Sequence, residues 1–547
     1  MDLKLVRVSF SLLRGWFRVG DSRIHVLILF LFFPFLSPPF LVDAFRAFGN
    51  PSWSWDTVLK YMKKSQNYQP PREEIATKHG ATFQEDGHGV HGPVDISFSP
   101  NSYTGFPHST FVDALNETLG VGKIIDAATG EGNGISFCPH YIKHGSKNTR
   151  ESSATAYYDP IEFERSNLHV LTGWRGIRVN WEKKDNFAST SFWSAWQQPF
   201  GTSSNKAPLL ATSVTIQRQV NGGTFDMQLS SSSSSTSAGQ VILSSGALIT
   251  PLILELSGVG DSKVLSKIGV STKVDLPGVG RNFLEKPTSI VSMSGRNTSL
   301  LESSGAPVPA VAMLSIDKVF TNSSDVLQMV EENMQTWAQD VVQSGGAVNV
   351  QGILKQYQVM KKGIFEEKWP VTEWEYFSKE EVAIKTFTLL PWSRGYIHST
   401  TNNSVWNRNL DDVDLNPQFW TRQLDMDIQV QGLRKARQIL ATPKMKTISD
   451  EELYPGTQVV ANTDDFGSYS DWRKYIIETY EGICHNMGTA AMMSRELGGV
   501  VDEEFRVYGT KNLRVIDASI FPLQISAHPA ATLFGIVEMA ADLIRSE

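Results

Sequence analysis

The stretch VILSSGALITPLILELSGVG, residues 241–260, begins with an apolar run that predicts a buried strand from Val241 to Ser245. A turn at Gly246 leads into a short helix, for which Thr250 is the expected N-cap and Pro251 the first helical residue. The closing Ser-Gly-Val-Gly lets the backbone approach a neighbour closely. A strand, a glycine turn and a helix in this order are typical of an α/β fold.

Outward from this stretch, strands and helices alternate along the chain. Apolar residues at helical spacing or in short runs predict helices over Trp53–Lys64, Pro107–Leu119 and Ala530–Ile544 and strands over Asn167–Thr172 and Leu513–Ile516. Residues 186–209 follow neither period and read as an insertion, and serine-rich 230–237 predicts a surface loop. The chain contains no internal repeat, so the pattern favours an α/β or α+β protein.

The composition is that of an ordinary globular protein. The chain has 547 residues, 41% hydrophobic and 20% charged, which suffices for one large core or two to three domains. A net charge of -7 argues against nucleic acid as a partner, because phosphate binding needs a basic face. Cys138 and Cys484 give neither a disulfide framework nor a metal-binding spacing, and we expect buried free thiols.

The N-terminus resembles a signal peptide or signal anchor. Several basic residues precede an apolar stretch over Ile24–Val42, which Pro34 and two further prolines interrupt. Four glycosylation sequons support a secretory route weakly; they lie at Asn116, Asn297, Asn322 and Asn402. The prediction is a secreted or secretory-pathway protein. There are three alternatives. The protein is anchored to a membrane through 24–42, or it is intracellular, or segment 1–42 is not native coding sequence.

Two histidine-containing blocks lie near the C-terminus. The first reads CHNMGTAAMM over 484–493, and the second reads IDASIFPLQISAHPAAT over 516–532. Their histidines, His485 and His528, are 43 residues apart in sequence. A single histidine is usually a hydrogen-bonded structural residue, so neither block alone indicates catalysis.

Because these blocks follow one another in this order, the chain resembles the glucose–methanol–choline (GMC) oxidoreductases over roughly Asp43–Ile544. Residues 246–260 match the second signature of that family, and LPGVGRN at 276–282 is similar to its next loop. Fungal glucose oxidases and aryl-alcohol oxidases are the most similar in character. Where the family usually continues with Asp-His-Pro, this chain has Glu285-Lys286-Pro287. We expect that departure to loosen a local contact without affecting the chemistry.

The resemblance implies an active site. His485 would be the base that takes the hydroxyl proton, and His528 its partner that hydrogen-bonds the developing alkoxide, although the roles could be reversed or shared. Four residues would line FAD: Asp517 and Ala518 beside the ribityl–pyrophosphate and Pro529 and Ala530 beside the isoalloxazine. Asp517 could also simply cap the turn after a strand. The resemblance implies no metal ligand.

The implied fold is an α/β FAD-binding fold, Rossmann-like and of the GMC type, with an α+β substrate domain. We predict an N-terminal segment 1–42 without homology, substrate or lid elements over 43–134, FAD-domain pieces over 135–288, a substrate domain over 289–470, and a C-terminal FAD-domain and active-site segment over 471–547. In this family, a G-x-G-x-x-G motif opens a βαβ unit that binds the ADP half of FAD. We find no such unit, and Gly130-Glu-Gly132-Asn-Gly134 has the wrong spacing and reads as a loop.

The predicted fold therefore lacks its first βαβ unit. Either the sequence is truncated or mis-spliced, which we favour, or the protein is degenerate and binds FAD weakly or not at all. The predicted function is FAD-dependent oxidation of a CH–OH group in a small alcohol, sugar or secondary-metabolite intermediate, with oxygen or a quinone as electron acceptor. A non-redox cyclase on the same fold and an inactive truncated remnant are the alternatives.

Overall fold

The computed structural model describes residues 6–7, 42–73, 76, 81–99, 106–130, 132–146, 148–182, 207–219, 222–230, 239–296, 310–378, 381–402 and 412–547. The insertion predicted over 186–209, the serine-rich 230–237 and the apolar 24–42 lie largely outside these residues. Among the described helices, none is both long and apolar enough to cross a membrane.

The α-helices of the described residues follow in chain order. They are α1 (Trp55–Ser65), α2 (Phe106–Leu119), α3 (Thr250–Leu256), α4 (Ser262–Lys267), α5 (Ile316–Val319), α6 (Ser323–Gln343), α7 (Val350–Lys361), α8 (Gln423–Leu440), α9 (Tyr469–Thr479) and α10 (Pro529–Ser546). The predicted helices correspond to α1, α2 and α10, with ends shifted by one or two residues.

The strands, also in chain order, are mostly short. They are β1 (Val6–Arg7), β2 (Gln66–Tyr68), β3 (Val94–Ile96), β4 (Gly134–Phe137), β5 (His169–Val170), β6 (Trp174–Trp181), β7 (Ala211–Arg218), β8 (Thr224–Gln228), β9 (Val241–Leu243), β10 (Val259–Gly260), β11 (Val274–Asp275), β12 (Arg281–Phe283), β13 (Pro287–Gly295), β14 (Ala310–Ser315), β15 (Pro370–Ser378), β16 (Glu381–Thr388), β17 (Gly395–Ser399), β18 (Val413–Asn416), β19 (Ser449–Tyr454), β20 (Glu481–Gly482) and β21 (Leu513–Val515). Three predicted strands are present as β5, β9 and β21, each shorter than expected.

A seven-stranded antiparallel sheet dominates the middle of the chain. Its strand order is β19-β13-β16-β15-β14-β4, and β20 also pairs with β13. On one face of β15, Phe111 of α2 stacks on Tyr376 with ring centroids 4.3 Å apart. On the same face, α8 packs so closely at Gly432 that an added Cβ would lie 2.8 Å from Thr386 Cγ2. Because side chains alternate along a strand, Glu373 and Glu375 face the other way.

The α/β part is built from parallel strand pairs. β9 pairs in parallel with β21, and β10 with β11. α1 is capped by Ser54, whose Oγ accepts a hydrogen bond from Thr57 N at 3.2 Å. The helix packs on α10 at Gly535, where a Cβ would lie 2.6 Å from Met62 Cγ. The region around residues 241–260 is therefore an α/β unit as predicted.

Two local predictions, those for Thr250 and Gly134, are wrong. Thr250 is the first residue of α3 rather than its N-cap, which is Ile249; the Thr250 hydroxyl bonds Asp517 instead. Gly134 is not in a loop, because it begins β4. The spacing G-x-G-x-x-G does occur, at residues 87–92, but there it leads from a 3-10 turn into β3 and opens no helix. Cys138 and Cys484 form no disulfide, as predicted, and Cys484 is only partly buried.

Candidate active site

His485 and His528 lie side by side in the interior. His485 follows β20, and His528 is the N-cap residue of α10. Their ring centroids are 4.9 Å apart and the ring planes cross at 84°. The side chains are almost fully enclosed, with residue exposures of 5% and 3%. Two imidazoles this close can act on one small reacting group.

His528 is held by the seven-stranded sheet. Its Nε2 lies 2.7 Å from Glu373 Oε1 and 4.0 Å from Glu375 Oε1. Burial raises the pKa of the Glu373 carboxyl, but the charge and hydrogen bond of His528 and the charge of Lys286 outweigh burial and leave that pKa lowered. Burial raises the pKa of Glu375 to about 7, against the attraction of His528. Glu373 is thus the ionised partner that orients the imidazole.

His485 is held through its backbone instead. Its N–H donates to Glu285 Oε1 at 3.0 Å, and its carbonyl accepts from Gln524 Nε2 at 3.1 Å. The ring Nδ1 is buried and, among the described residues, has no hydrogen-bond partner. Burial, followed by the charges of Lys286 and His528, lowers the pKa of this imidazole well below its ordinary value. His485 is therefore neutral near pH 7 and able to accept a proton.

The expectation that Glu285-Lys286 only loosens a local contact is wrong. Lys286 is completely buried, and its Nζ donates to the carbonyl of Ala527, the residue before His528, at 2.6 Å. Glu285 accepts the His485 N–H described above. Each residue of this pair therefore contacts the backbone at one of the two histidines.

Asp517 connects three segments of the chain. Its Oδ1 accepts from the Ser519 N–H at 2.8 Å, so the predicted cap after a strand is confirmed. Its Oδ2 accepts from Gly246 N at 2.9 Å and from Thr250 Oγ1 at 2.6 Å. These bonds fix the C-terminal active-site segment against α3.

Ala518 continues this connection. Its carbonyl accepts from Gly488 N at 3.2 Å, which ties the loop after His485 to the segment before His528. Pro529 and Ala530 open α10, directly after His528. All four residues predicted to line FAD thus lie on the segment that carries His528, which Ala518 ties to the loop after His485, while their contacts with the cofactor stay predictions.

Glu373, Glu375 and His528 offer three buried donor atoms within 4.8 Å of one another, a set that could hold a metal ion. Glu373 and His528 are already in direct hydrogen-bond contact at 2.7 Å, shorter than the separation of two ligands around a bound ion. The Lys286 ammonium also supplies positive charge to Glu373. The cluster is therefore accounted for as a hydrogen-bonded charge pair.

The carboxylates of β15 were not among the predicted site residues. The signal was available in the sequence TEWEYF over 372–377, where acidic residues alternate with aromatic ones inside an otherwise apolar strand. A carboxyl group at such a position must be buried, and buried carboxyl groups with a partner often mark functional sites.

An α/β unit joined to a large antiparallel sheet, with paired histidines where they meet, is the arrangement of a two-domain oxidoreductase. Two family models described as GMC oxidoreductase match this chain, over residues 45–288 and 391–536. The chain belongs to the GMC oxidoreductase family, as its sequence motifs indicated.

Related proteins and solved structures support the same family assignment. The glucose oxidase-like protein fsoC of Humicola fuscoatra is 32% identical over 92% of this chain and 78% of its own length. Glucose oxidase 1 of Penicillium expansum is 29% identical over 92% of this chain and 75% of its own length. The structure of a fungal aryl-alcohol oxidase superposes with a TM-score of 0.77 at 22% identity, covering 94% of this chain and 84% of that one. The fold is therefore the GMC fold, with FAD-binding and substrate domains.

The cofactor of this family is FAD, and the residues at the histidine pair fit one half of it. The buried Nδ1 of His485 has no hydrogen-bond partner among the described residues, and such a polar atom suits the polar edge of an isoalloxazine ring. For the ADP half, residues 87–92 do not form the strand–turn–helix that binds a pyrophosphate.

Proposed function

We propose that this chain oxidises a CH–OH group of a small alcohol at the His485–His528 pair. The observation that carries the proposal is the geometry of that pair: His528 is charge-coupled to Glu373, while His485 is neutral and has an unpartnered nitrogen. A neutral imidazole can take the hydroxyl proton, and its neighbour can donate a hydrogen bond to the oxygen that becomes negative. FAD, when bound, supplies the hydride acceptor.

The division of labour between the histidines follows from their partners. The low pKa of His485 keeps its ring unprotonated and available as base. His528, oriented by its hydrogen bond to the Glu373 carboxylate, is placed to donate a hydrogen bond to the developing alkoxide. Enclosure of both rings excludes water from the developing charges, which strengthens these interactions.

The substrate we propose is an alcohol, sugar or secondary-metabolite intermediate, and the electron acceptor is oxygen. Relatives named glucose oxidase and aryl-alcohol oxidase support this class. The alcohol loses two electrons and two protons to give a carbonyl compound, and oxygen accepts them to give hydrogen peroxide. A quinone acceptor would leave the same histidine chemistry unchanged.

The test is to express the full chain, add FAD, and record the visible spectrum before and after anaerobic addition of alcohols. Bleaching of the flavin bands is the expected result. Bound flavin that no alcohol bleaches would favour a non-redox activity such as a cyclase. A colourless product even at high FAD would leave an inactive remnant.

The matched variant is His485→Asn, which removes the base and keeps a polar side chain. We expect its rate of flavin bleaching, measured with the flavin site saturated, to fall by about 10²–10⁴-fold, the usual contribution of a positioned general base. Bleaching at the original rate would show that His485 is not the base.

A further inference from the structure

The dipeptide Glu285-Lys286 lies between β12 and β13, beside the segment that contains His485. Leu284 and Met487 form an antiparallel bridge with two backbone hydrogen bonds of 3.0 Å, and Pro287 pairs with Gly482. The dipeptide is thus flanked by paired residues on both sides. In extended backbone, consecutive side chains point in opposite directions. Glu285 and Lys286 therefore contact different parts of the site.

Glu285 faces the His485 loop. Its Oε1 accepts from the N–H of His485 at 3.0 Å and from the N–H of Lys286 at 2.7 Å. Burial raises the pKa of this carboxyl to about 7, although these hydrogen bonds and the Lys286 charge oppose the rise. The carboxyl holds the backbone position from which the His485 ring projects.

Lys286 faces the His528 segment. Its Nζ donates to Ala527 O at 2.6 Å, and its side chain is completely buried. Burial lowers the pKa of the ammonium to about 8, while Glu373 and Glu285 act to raise it. At neutral pH the Lys286 side chain is therefore positively charged, and this charge affects both Glu373 and His485. Its charge favours the ionised form of Glu373 and the neutral form of His485.

We propose that Glu285 and Lys286 are positioning residues that clamp the backbone at His485 and at His528. The Lys286 charge adds to the larger effect of burial in favouring the neutral form of His485. The assignment of His485 as base rests on the function proposed above, whereas the clamp itself rests on the contacts of the dipeptide. The family pattern has Asp-His-Pro here, so a clamp built on a buried lysine is a property of this chain.

Other charged and titratable groups also surround the pair. They are Glu373 and Glu375 from β15, Lys385 from β16, and Cys484 beside His485. Lys385 is part-exposed and its Nζ lies 3.5 Å from Glu481 Oε2. Lys385 therefore provides a control. Its removal changes the net charge by the same amount as removal of Lys286, but it leaves the backbone contacts of both histidine segments in place.

The experiment is a histidine NMR titration of the full chain labelled with ¹⁵N-histidine, with the His485 signal assigned by its loss in His485→Asn. In Lys286→Met we expect His485 to titrate about one pH unit higher than in the wild type, because a neighbouring positive charge has been removed. Lys286→Arg should restore the wild-type titration. Lys385→Met should leave it unchanged.

A further variant separates the effect of losing the Lys286 charge from a failure to fold. Lys286→Gln keeps a donor for the Ala527 carbonyl and loses only the charge, so it decides the question if Lys286→Met does not fold. Identical His485 titrations in the wild type, Lys286→Met and Lys286→Gln would overturn the charge role.

The Glu285 contact has its own readout in the same samples. Glu285→Leu should move the His485 backbone amide proton upfield, since a hydrogen bond to a carboxylate is lost, and Glu285→Gln should restore most of the shift. An amide resonance that Glu285→Leu does not move would overturn the clamp. These measurements need neither flavin nor substrate, so failure to oxidise alcohols would count against the proposed function and leave this inference standing.

Discussion

Glu375 is a carboxyl group in surroundings that favour its neutral form. It is buried beside Glu373 and His528, and burial raises its pKa to about 7 from its ordinary value of 4.5. Since its pKa is raised in the folded state, the folded chain binds more protons than the unfolded chain between pH 4.5 and 7. The stability that this group contributes is present below pH 4.5 and is lost as the pH rises through 7.

Glu375→Gln should therefore become progressively more stable than the wild type as the pH rises from 4.5 to 8. The pH-dependent gain should reach about 3 kcal/mol, the linkage value of a pKa raised by this much. Urea unfolding at pH 4.5, 6 and 8 measures it. A stability difference that stays constant over this range would show that Glu375 is ionised at little cost.

Glu373 has the opposite character, because it is ionised and paired. Glu373→Gln keeps the size of the side chain but removes the charge that His528 faces. We expect kcat to fall by about tenfold, one pKa unit of lost charge stabilisation, with KM little changed. A steady-state comparison with added FAD measures both constants, and an unchanged kcat would argue against charge coupling between these two residues.

The residues of the site could be predicted only in part. His485 and His528 occur in blocks that together resemble a family, so their proximity was expected. Glu373 and Glu375 contact His528 across more than 150 residues of chain, and sequence alone does not show which strands become neighbours. Lys286 was misjudged because a lysine is rarely fully buried, and its partner is a backbone carbonyl that no side-chain pattern reveals.

At the scale of elements, the loop that follows His485 depends on a glycine. Gly488 has a φ of +94°, and an added Cβ would lie 2.2 Å from the carbonyl oxygen of Asn282. Gly246 has a similar φ of +81°, but a Cβ there would meet nothing within 4 Å. The two glycines thus share a backbone conformation that would strain any residue with a Cβ, and they differ in the space around them.

Gly246→Ala should cost about 1–2 kcal/mol, the penalty of a left-handed residue with a Cβ. Gly488→Ala should cost more than about 3 kcal/mol, because it adds a contact with backbone that cannot move freely. The free energies of unfolding of the two variants test the comparison. Equal losses would mean that the loop shifts to accommodate the methyl group.

The elements themselves were predicted well where their patterns are local. α1, α2 and α10 follow from apolar residues at helical spacing, and β9 and β21 from short apolar runs. The individual strands of the middle region were not predicted; β15 is buried on both faces, so its alternation of acidic and aromatic residues does not mark a solvent-exposed face. Thr250 was assigned as a cap because its true partner, Asp517, lies 267 residues away.

At the scale of the whole molecule, we propose that the chain enters the secretory pathway. The described sequons Asn116, Asn322 and Asn402 are all exposed. Expression of the full chain in a fungal host should give secreted protein whose mass falls on treatment with an N-glycosidase. Asn→Gln substitution at the three positions together should reduce that change. Unglycosylated protein retained inside the cell would contradict the proposal.

The two histidines are positioned by residues of both the α/β part and the seven-stranded sheet. His528 starts a helix of the α/β part, while the carboxylates that its ring contacts lie on β15 of the sheet that packs against α2 and α8. Suppose that a segment containing β15 and β16 were exchanged with that of a relative to obtain a new specificity. The recombinant would inherit the donor's acid–base behaviour along with its pocket, so in this scaffold substrate range and pH optimum should be transplanted together.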